Sequence, residues 1–122
     1  MSDDLLARAE AVAERAYAPY SRYLVGAAVL ARDGTVLEGV NVENAAYPLG
    51  VCAERTALAR AVAEGYRPGE LEAIGITASP CGGCRQWLHE FRLSRVSFRN
   101  AAGEVVTYRP DELLPETWEL PA

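Results

Sequence analysis

Residues 71–91 read LEAIGITASPCGGCRQWLHEF, and the class of fold turns on how that stretch divides. "LEAIGITA" (71–78) is an apolar run of strand length, the pattern of a strand buried on both faces. Ser79 and Pro80 are suited to be a helix N-cap and first helical residue. A helix is therefore expected from there through Trp87 and Leu88 to about Phe91. Two short strand-like runs follow, "RVSFR" (95–99) and "EVVTY" (104–108), around a turn at Asn100 to Gly103. Two strands joined through a helix in one sheet run parallel. The class is α/β.

Upstream, "YLVGAAVLA" (23–31) and "VLEGV" (36–40) flank "RDGT". An Asp-Gly turn between two apolar runs predicts an antiparallel hairpin. A helix is expected from Ala53 to Glu64, with Ala57, Leu58, Ala61 and Val62 facing inward and Gly65 as its stop. Another is expected from Asp3 to Tyr17, where Leu5, Leu6, Ala9, Val12, Ala13 and Ala16 recur at helical spacing before Pro19. Residues 41–51 have no period and contain Pro48 and Gly50, as in an ordered loop that carries function. A last helical turn near Asp111 to Leu114 precedes the tail "PETWELPA". The expected order is α, β, β, α, β, α, β, β, α: a three-layer α-β-α sandwich around a five-stranded mixed sheet, in one domain spanning residues 1–122. Such an architecture does not specify an activity.

The chain has 122 residues, half of them hydrophobic, and a net charge of −5. All twelve basic residues are arginine, scattered among carboxylates. A protein that grips long nucleic acid shows a basic face, so polynucleotide partners are disfavoured. No apolar run approaches the roughly 18 residues that span a bilayer, so no membrane partner is expected. The start, "MSDDLLARAE", has neither a basic region nor a cleavage signature. A cytoplasmic location is expected, where thiols stay reduced and cysteine clusters point to metal or catalysis.

The chain's three cysteines, Cys52, Cys81 and Cys84, cannot all pair with one another as disulfides. Cys81 and Cys84 stand three apart at the expected helix start, where unpaired N–H groups favour thiolate. Gly82 and Gly83 allow the backbone to approach a ligand closely. Cys52 begins the preceding helix and can face the same space. Three thiolates with no obvious fourth ligand match a catalytic zinc, whose fourth position is left for water. His89 falls on the wrong turn to join them. Two other readings stay open: a thioredoxin-like redox pair, which leaves Cys52 and Glu54 without a task, and a structural zinc, which normally takes four ligands. Glu54, two residues past Cys52, is placed to act as the base beside such a zinc. Arg55 and the helix-start N–H groups could donate to the sulfurs and compensate their charge.

"CAERTAL" and "PCGGCRQWLHEF", with "YSRYLVGAAVL", "GVNVENAAYPLG" and "LLPETW", resemble the small homotetrameric cytidine deaminases over roughly residues 20–118. The resemblance implies a cytidine deaminase-like fold and one Zn²⁺ per chain, held by Cys52, Cys81 and Cys84. It implies that Glu54 takes a proton from the water on zinc and passes protons to the pyrimidine ring and to departing ammonia, giving uridine or deoxyuridine in pyrimidine salvage. It also implies that Asn41 and Glu43 bind ribose and that the Ala53 backbone holds the base edge. Ala45 to Tyr47 of one subunit would line the site of another in a homotetramer. Tyr23 and Trp118 stand where this family generally has phenylalanine, and Tyr23 is expected to stack on the base. Three further readings remain: a deaminase of blasticidin-type nucleosides, a deaminase of polynucleotide cytosines, and a non-catalytic zinc or thiol module.

Overall fold

The computed structural model describes residues 2–120. Its elements are α1 (Ser2–Ala13), β1 (Gly26–Ala31), β2 (Val36–Val40), α2 (Ala53–Ala63), β3 (Leu71–Ile76), α3 (Gly82–Glu90), β4 (Arg95–Arg99), β5 (Val105–Tyr108) and α4 (Pro110–Leu113), with a 3-10 turn at Tyr47–Leu49. The elements follow one another in the expected order. The five strands form a single mixed sheet in the order β2-β1-β3-β4-β5. β1 is antiparallel to both β2 and β3, β3 is parallel to β4, and β4 is antiparallel to β5.

Alternation along the strands sends side chains to two separate cores. Ala27, Val29, Leu37, Ile74, Ile76 and Val96 pack against Ala53, Ala57, Leu58 and Ala61 of α2 and Leu88 of α3. Ala28 and Ala73 face the other way, against Leu5 and Ala9 of α1. The sheet is thus covered by α1 on one face and by α2 and α3 on the other. Two glycines let the helices lie this close. A Cβ on Gly26 would sit 2.0 Å from the Ala9 carbonyl of α1, and one on Gly39 would sit 2.3 Å from the Ala57 nitrogen of α2.

Several boundaries differ from expectation, at some because a tertiary bond outbids local propensity and at others because a local cap takes the terminal N–H. α1 stops at Ala13 instead of continuing to Tyr17, whose N–H is drawn away to the Asn41 carbonyl at 3.1 Å. β1 begins at Gly26 and not at Tyr23, because the Val25 N–H is taken by Asn41 Oδ1 at 2.8 Å. β3 ends at Ile76, two residues early. Ser79 is not the N-cap of α3. That position belongs to Cys81, whose sulfur accepts the Cys84 N–H at 3.4 Å, so the helix opens at Gly82. Ser79 Oγ and the Pro80 carbonyl instead accept from Arg85, at 3.3 and 2.9 Å. α4 opens one residue early, at Pro110, with the Arg109 N–H held by Glu112 at 2.8 Å.

The tail lies across α3, where Gln86 Nε2 donates to the Trp118 carbonyl at 3.2 Å and His89 Nε2 meets Glu119 at 3.1 Å. Pro121 and Ala122, also assigned to that tail, lie outside the described residues. Among the described residues, no helix is long and apolar enough to cross a membrane.

Candidate metal centre and active site

Both helices on the metal side of the sheet begin on a cysteine. Cys52 is the N-cap of α2 and Cys81 the N-cap of α3, each with extended backbone, and Cys84 lies in the first turn of α3. The two helix N-termini converge, and their unpaired N–H groups and dipoles favour negative charge at the meeting point. The three sulfurs lie within 4.8 Å of one another, and Cys52 and Cys81 Sγ are 4.0 Å apart. Thiolates bound at about 2.3 Å to a tetrahedral zinc stand about 3.8 Å from each other. The separations therefore suit one shared ion, and all three cysteines are free thiols. His89 takes no part: its ring is engaged with Glu119. Among the described residues the group holds three ligands, which leaves one corner of a tetrahedron open.

The thiols differ. Burial pushes Cys52 and Cys84 up from the usual thiol range. Burial also opposes ionisation of Cys81, but the N–H and thiol of Cys84, the thiol of Cys52 and the N–H of Gly83 outweigh it and hold Cys81 below that range. Arg55 leans over this end of α3, with its terminal nitrogen 4.0 Å from Cys81 Sγ. The space it occupies is the one a Cβ on Gly83 would need, 2.3 Å from that nitrogen. The two glycines differ in surroundings. Gly83 seats a guanidinium beside the sulfurs, while a Cβ on Gly82 would meet nothing within 4 Å. Arg55 Nε is buried without a hydrogen-bond partner.

Glu54, the second residue of α2, is one of only two buried polar or charged side chains among the described residues, at 3% exposure. Burial pushes its carboxyl up from the usual range, offset in part by its own backbone N–H, the Cys84 thiol and Arg55. It lines a cavity of about 280 Å³ together with Cys52, Cys81, Ala53, Tyr23, Asn41 and Glu43. Seven residues singled out from four stretches of sequence therefore meet around one space. Asn41 is held by Val25 and by Tyr23, whose carbonyl accepts from Asn41 Nδ2 at 2.9 Å.

Sequence reasoning missed Ser21, Val25, Ala78 and Ser79, which also line the cavity. Ser21 donates its hydroxyl to Glu43, a contact set by the meeting of two loops and visible in neither alone. Ala45 and Tyr47 stand outside this cavity. Tyr47, 76% exposed, borders a neighbouring space of about 340 Å³ with Tyr20, Asn44 and Gly50. Trp118 is also away from it, on the tail and 66% exposed.

Residues 1–100 match the family model described as the cytidine and deoxycytidylate deaminase zinc-binding region. The chain is 41% identical to a cytidine deaminase of Sporosarcina psychrophila, over 93% of this chain and 88% of that one. It is 46% identical to a cytidine deaminase of Halalkalibacterium halodurans, over 84% and 82% of the two chains. The crystal structure of a cytidine deaminase from Burkholderia pseudomallei superposes with a TM-score of 0.90 at 44% identity, covering 97% of this chain and 99% of that one.

Proposed function

The chain belongs to the zinc-binding cytidine and deoxycytidylate deaminase family, and from that premise we propose that it deaminates cytidine and deoxycytidine to uridine and deoxyuridine. Water replaces the 4-amino group of the base and ammonia leaves. The observation that carries this reading is a cluster of three metal-competent sulfurs, two of which, Cys52 and Cys81, border one cavity together with a buried carboxylate and two sugar-competent polar groups.

Cys52, Cys81 and Cys84 would hold one zinc, which supplies a water acidified to a pKa of about 7. Three thiolates weaken that acidification, and Arg55 and the N–H groups of both helix starts draw charge back from the sulfurs. Glu54 takes the water's proton on a carboxylate oxygen and returns protons to the ring nitrogen and the departing amine. Its burial suits the task, because a carboxyl pushed upward holds a proton for part of the cycle. The Ala53 backbone borders the base edge, Tyr23 offers a ring face to the pyrimidine, and Asn41 and Glu43 address the sugar. None of the residues bordering the cavity is basic, and two are carboxylates. That favours an uncharged nucleoside over a nucleotide or a polynucleotide, whose phosphates it would repel.

The finer reading includes a homotetramer. Tyr17, Tyr20, Tyr23, Val42, Tyr47, Leu49 and Val51 are all exposed, in the two segments that also supply Ser21, Tyr23 and Glu43 to the cavity. An apolar surface of that kind marks an interface. We place the Ala45 to Tyr47 segment of one subunit over the site of another, in a cytoplasmic enzyme whose thiols stay reduced.

Glu54→Gln tests the chemistry. The variant is expected to retain one zinc per chain by elemental analysis while ammonia release from cytidine falls by about 10² to 10⁴-fold. Full turnover with metal in place would remove Glu54 from the mechanism.

A further inference from the structure

Glu43 is held far more firmly than a loop carboxylate requires. Its Oε1 accepts the N–H groups of Tyr20 and Ser21, at 3.0 and 3.1 Å, and its Oε2 accepts the Ser21 hydroxyl. Ser21 Oγ in turn accepts the Tyr23 N–H at 3.0 Å. The turn that presents these donors is costly: Arg22, between Ser21 and Tyr23, has φ 62°, in the left-handed region that disfavours side chains. Its N–H bonds to the Ala18 carbonyl at 2.9 Å, which closes the turn.

Counting what is left is informative. A carboxylate offers about four acceptor sites, and three bonds already reach Glu43, so one site on Oε2 stays free. Asn41 has spent one amide hydrogen on the Tyr23 carbonyl and one lone pair on the Val25 N–H. One N–H and one lone pair remain. A hydroxyl both donates and accepts, so the free N–H and lone pair of Asn41 and the free acceptor of Glu43, on one cavity wall, suit sugar hydroxyls.

We propose that Ser21 is a positioning residue for sugar recognition. Presented by the left-handed turn at Arg22, it fixes the orientation of Glu43 and leaves one acceptor site on Oε2 for a sugar hydroxyl. This rests on the assignment of Asn41 and Glu43 to the sugar made above. The same contacts favour the ionised acceptor: the Ser21 hydroxyl and then its N–H are the chief causes that hold the Glu43 carboxyl below the usual range. Ser21 lies within YSRYLVGAAVL, yet neither its type nor its spacing marks it as the partner of Glu43.

The test is a double-mutant cycle on the zinc-loaded enzyme, read by calorimetric binding of uridine and of uracil, which lacks the sugar. Ser21→Ala is expected to weaken uridine by about tenfold, the loss of one hydrogen bond to a charged acceptor, and to leave uracil unchanged. Ser21→Thr, which keeps the hydroxyl, is expected to restore most of the loss. In a Glu43→Gln background, Ser21→Ala is expected to add nothing further. With cytidine, KM rises and kcat stays within about twofold. Equal weakening of uridine and uracil, additivity with Glu43→Gln, or a lowered melting temperature with unchanged uridine affinity each overturns the proposal. Ser21→Cys, a poor donor of similar size, gives the same readings should Ser21→Ala fail to fold. A wild-type protein that binds uridine but does not turn over cytidine would sink the activity reading while this cycle still measures Ser21.

Discussion

At the scale of single residues, the three cysteines share a centre but not an environment. Cys81 is exposed and held below the usual thiol range, whereas Cys84 is buried and pushed above it. With the metal stripped by a chelator, Cys81 is expected to be alkylated first and Cys84 last, read by peptide mass spectrometry. A depressed pKa means more thiolate at any given pH, so the Cys81 rate should level off at a lower pH than that of a free cysteine, near 8.5. Prior modification of Cys84 would contradict this ordering. The clustering of the three cysteines and the place of Glu54 beside them were legible in the sequence because both follow from residue type and short spacing, which survive in one dimension. Ser21 was not, because its partner lies 22 positions away and the turn at Arg22 that aims it has no compositional signature. A left-handed arginine looks like any other arginine on paper.

Elements set the next level. α2 carries Cys52 and Glu54, and its place is fixed by the strand beneath it. The Thr56 hydroxyl lies 2.7 Å from the Val40 carbonyl, and Gly39 leaves room for the helix backbone. Gly39→Ala would put a methyl group 2.3 Å from the Ala57 nitrogen and 2.7 Å from the Ala53 carbonyl. Backbone cannot yield cheaply, and overpacking of this kind costs about 1–3 kcal/mol. The expected result is a melting temperature several degrees lower together with weaker zinc retention. Gly82→Ala, whose added carbon would meet nothing within 4 Å, is the matched control, with both properties near wild type. Equal melting temperatures for the two variants would remove Gly39 as the seat of α2. Strands, helices and the 32–35 hairpin turn were readable from periodicity and turn chemistry. The element ends were not, since Tyr17 and Val25 are claimed by partners distant in sequence and Ser79 by Arg85 inside the helix it was expected to cap. Nor was the pairing of β1 with β3, which no local signal announces.

For the whole molecule, the exposed rings and aliphatic side chains of residues 17–23 and 42–51 set the expectation for assembly. Light scattering should return about four times the 13.2 kDa chain mass. Tyr47→Asp, at a position 76% exposed in the single chain, should shift the population to smaller species and lower turnover with it. A wild-type protein of single-chain mass with full activity would refute the shared-site arrangement. Subunit number depends on surfaces, and a sequence shows a surface only after folding has decided which residues are outside. The placement of the sulfurs on either side of β3 carries a last implication. Cys52 and Cys81 are 29 positions apart, so an ion gripping both acts as a staple across α2, β3 and the start of α3. Closing such a loop removes chain entropy in the same manner as a covalent crosslink. Loss of the ion then does more than silence chemistry: amide protons in that span should exchange with solvent sooner, while those of α1, on the far side of the sheet, keep their protection.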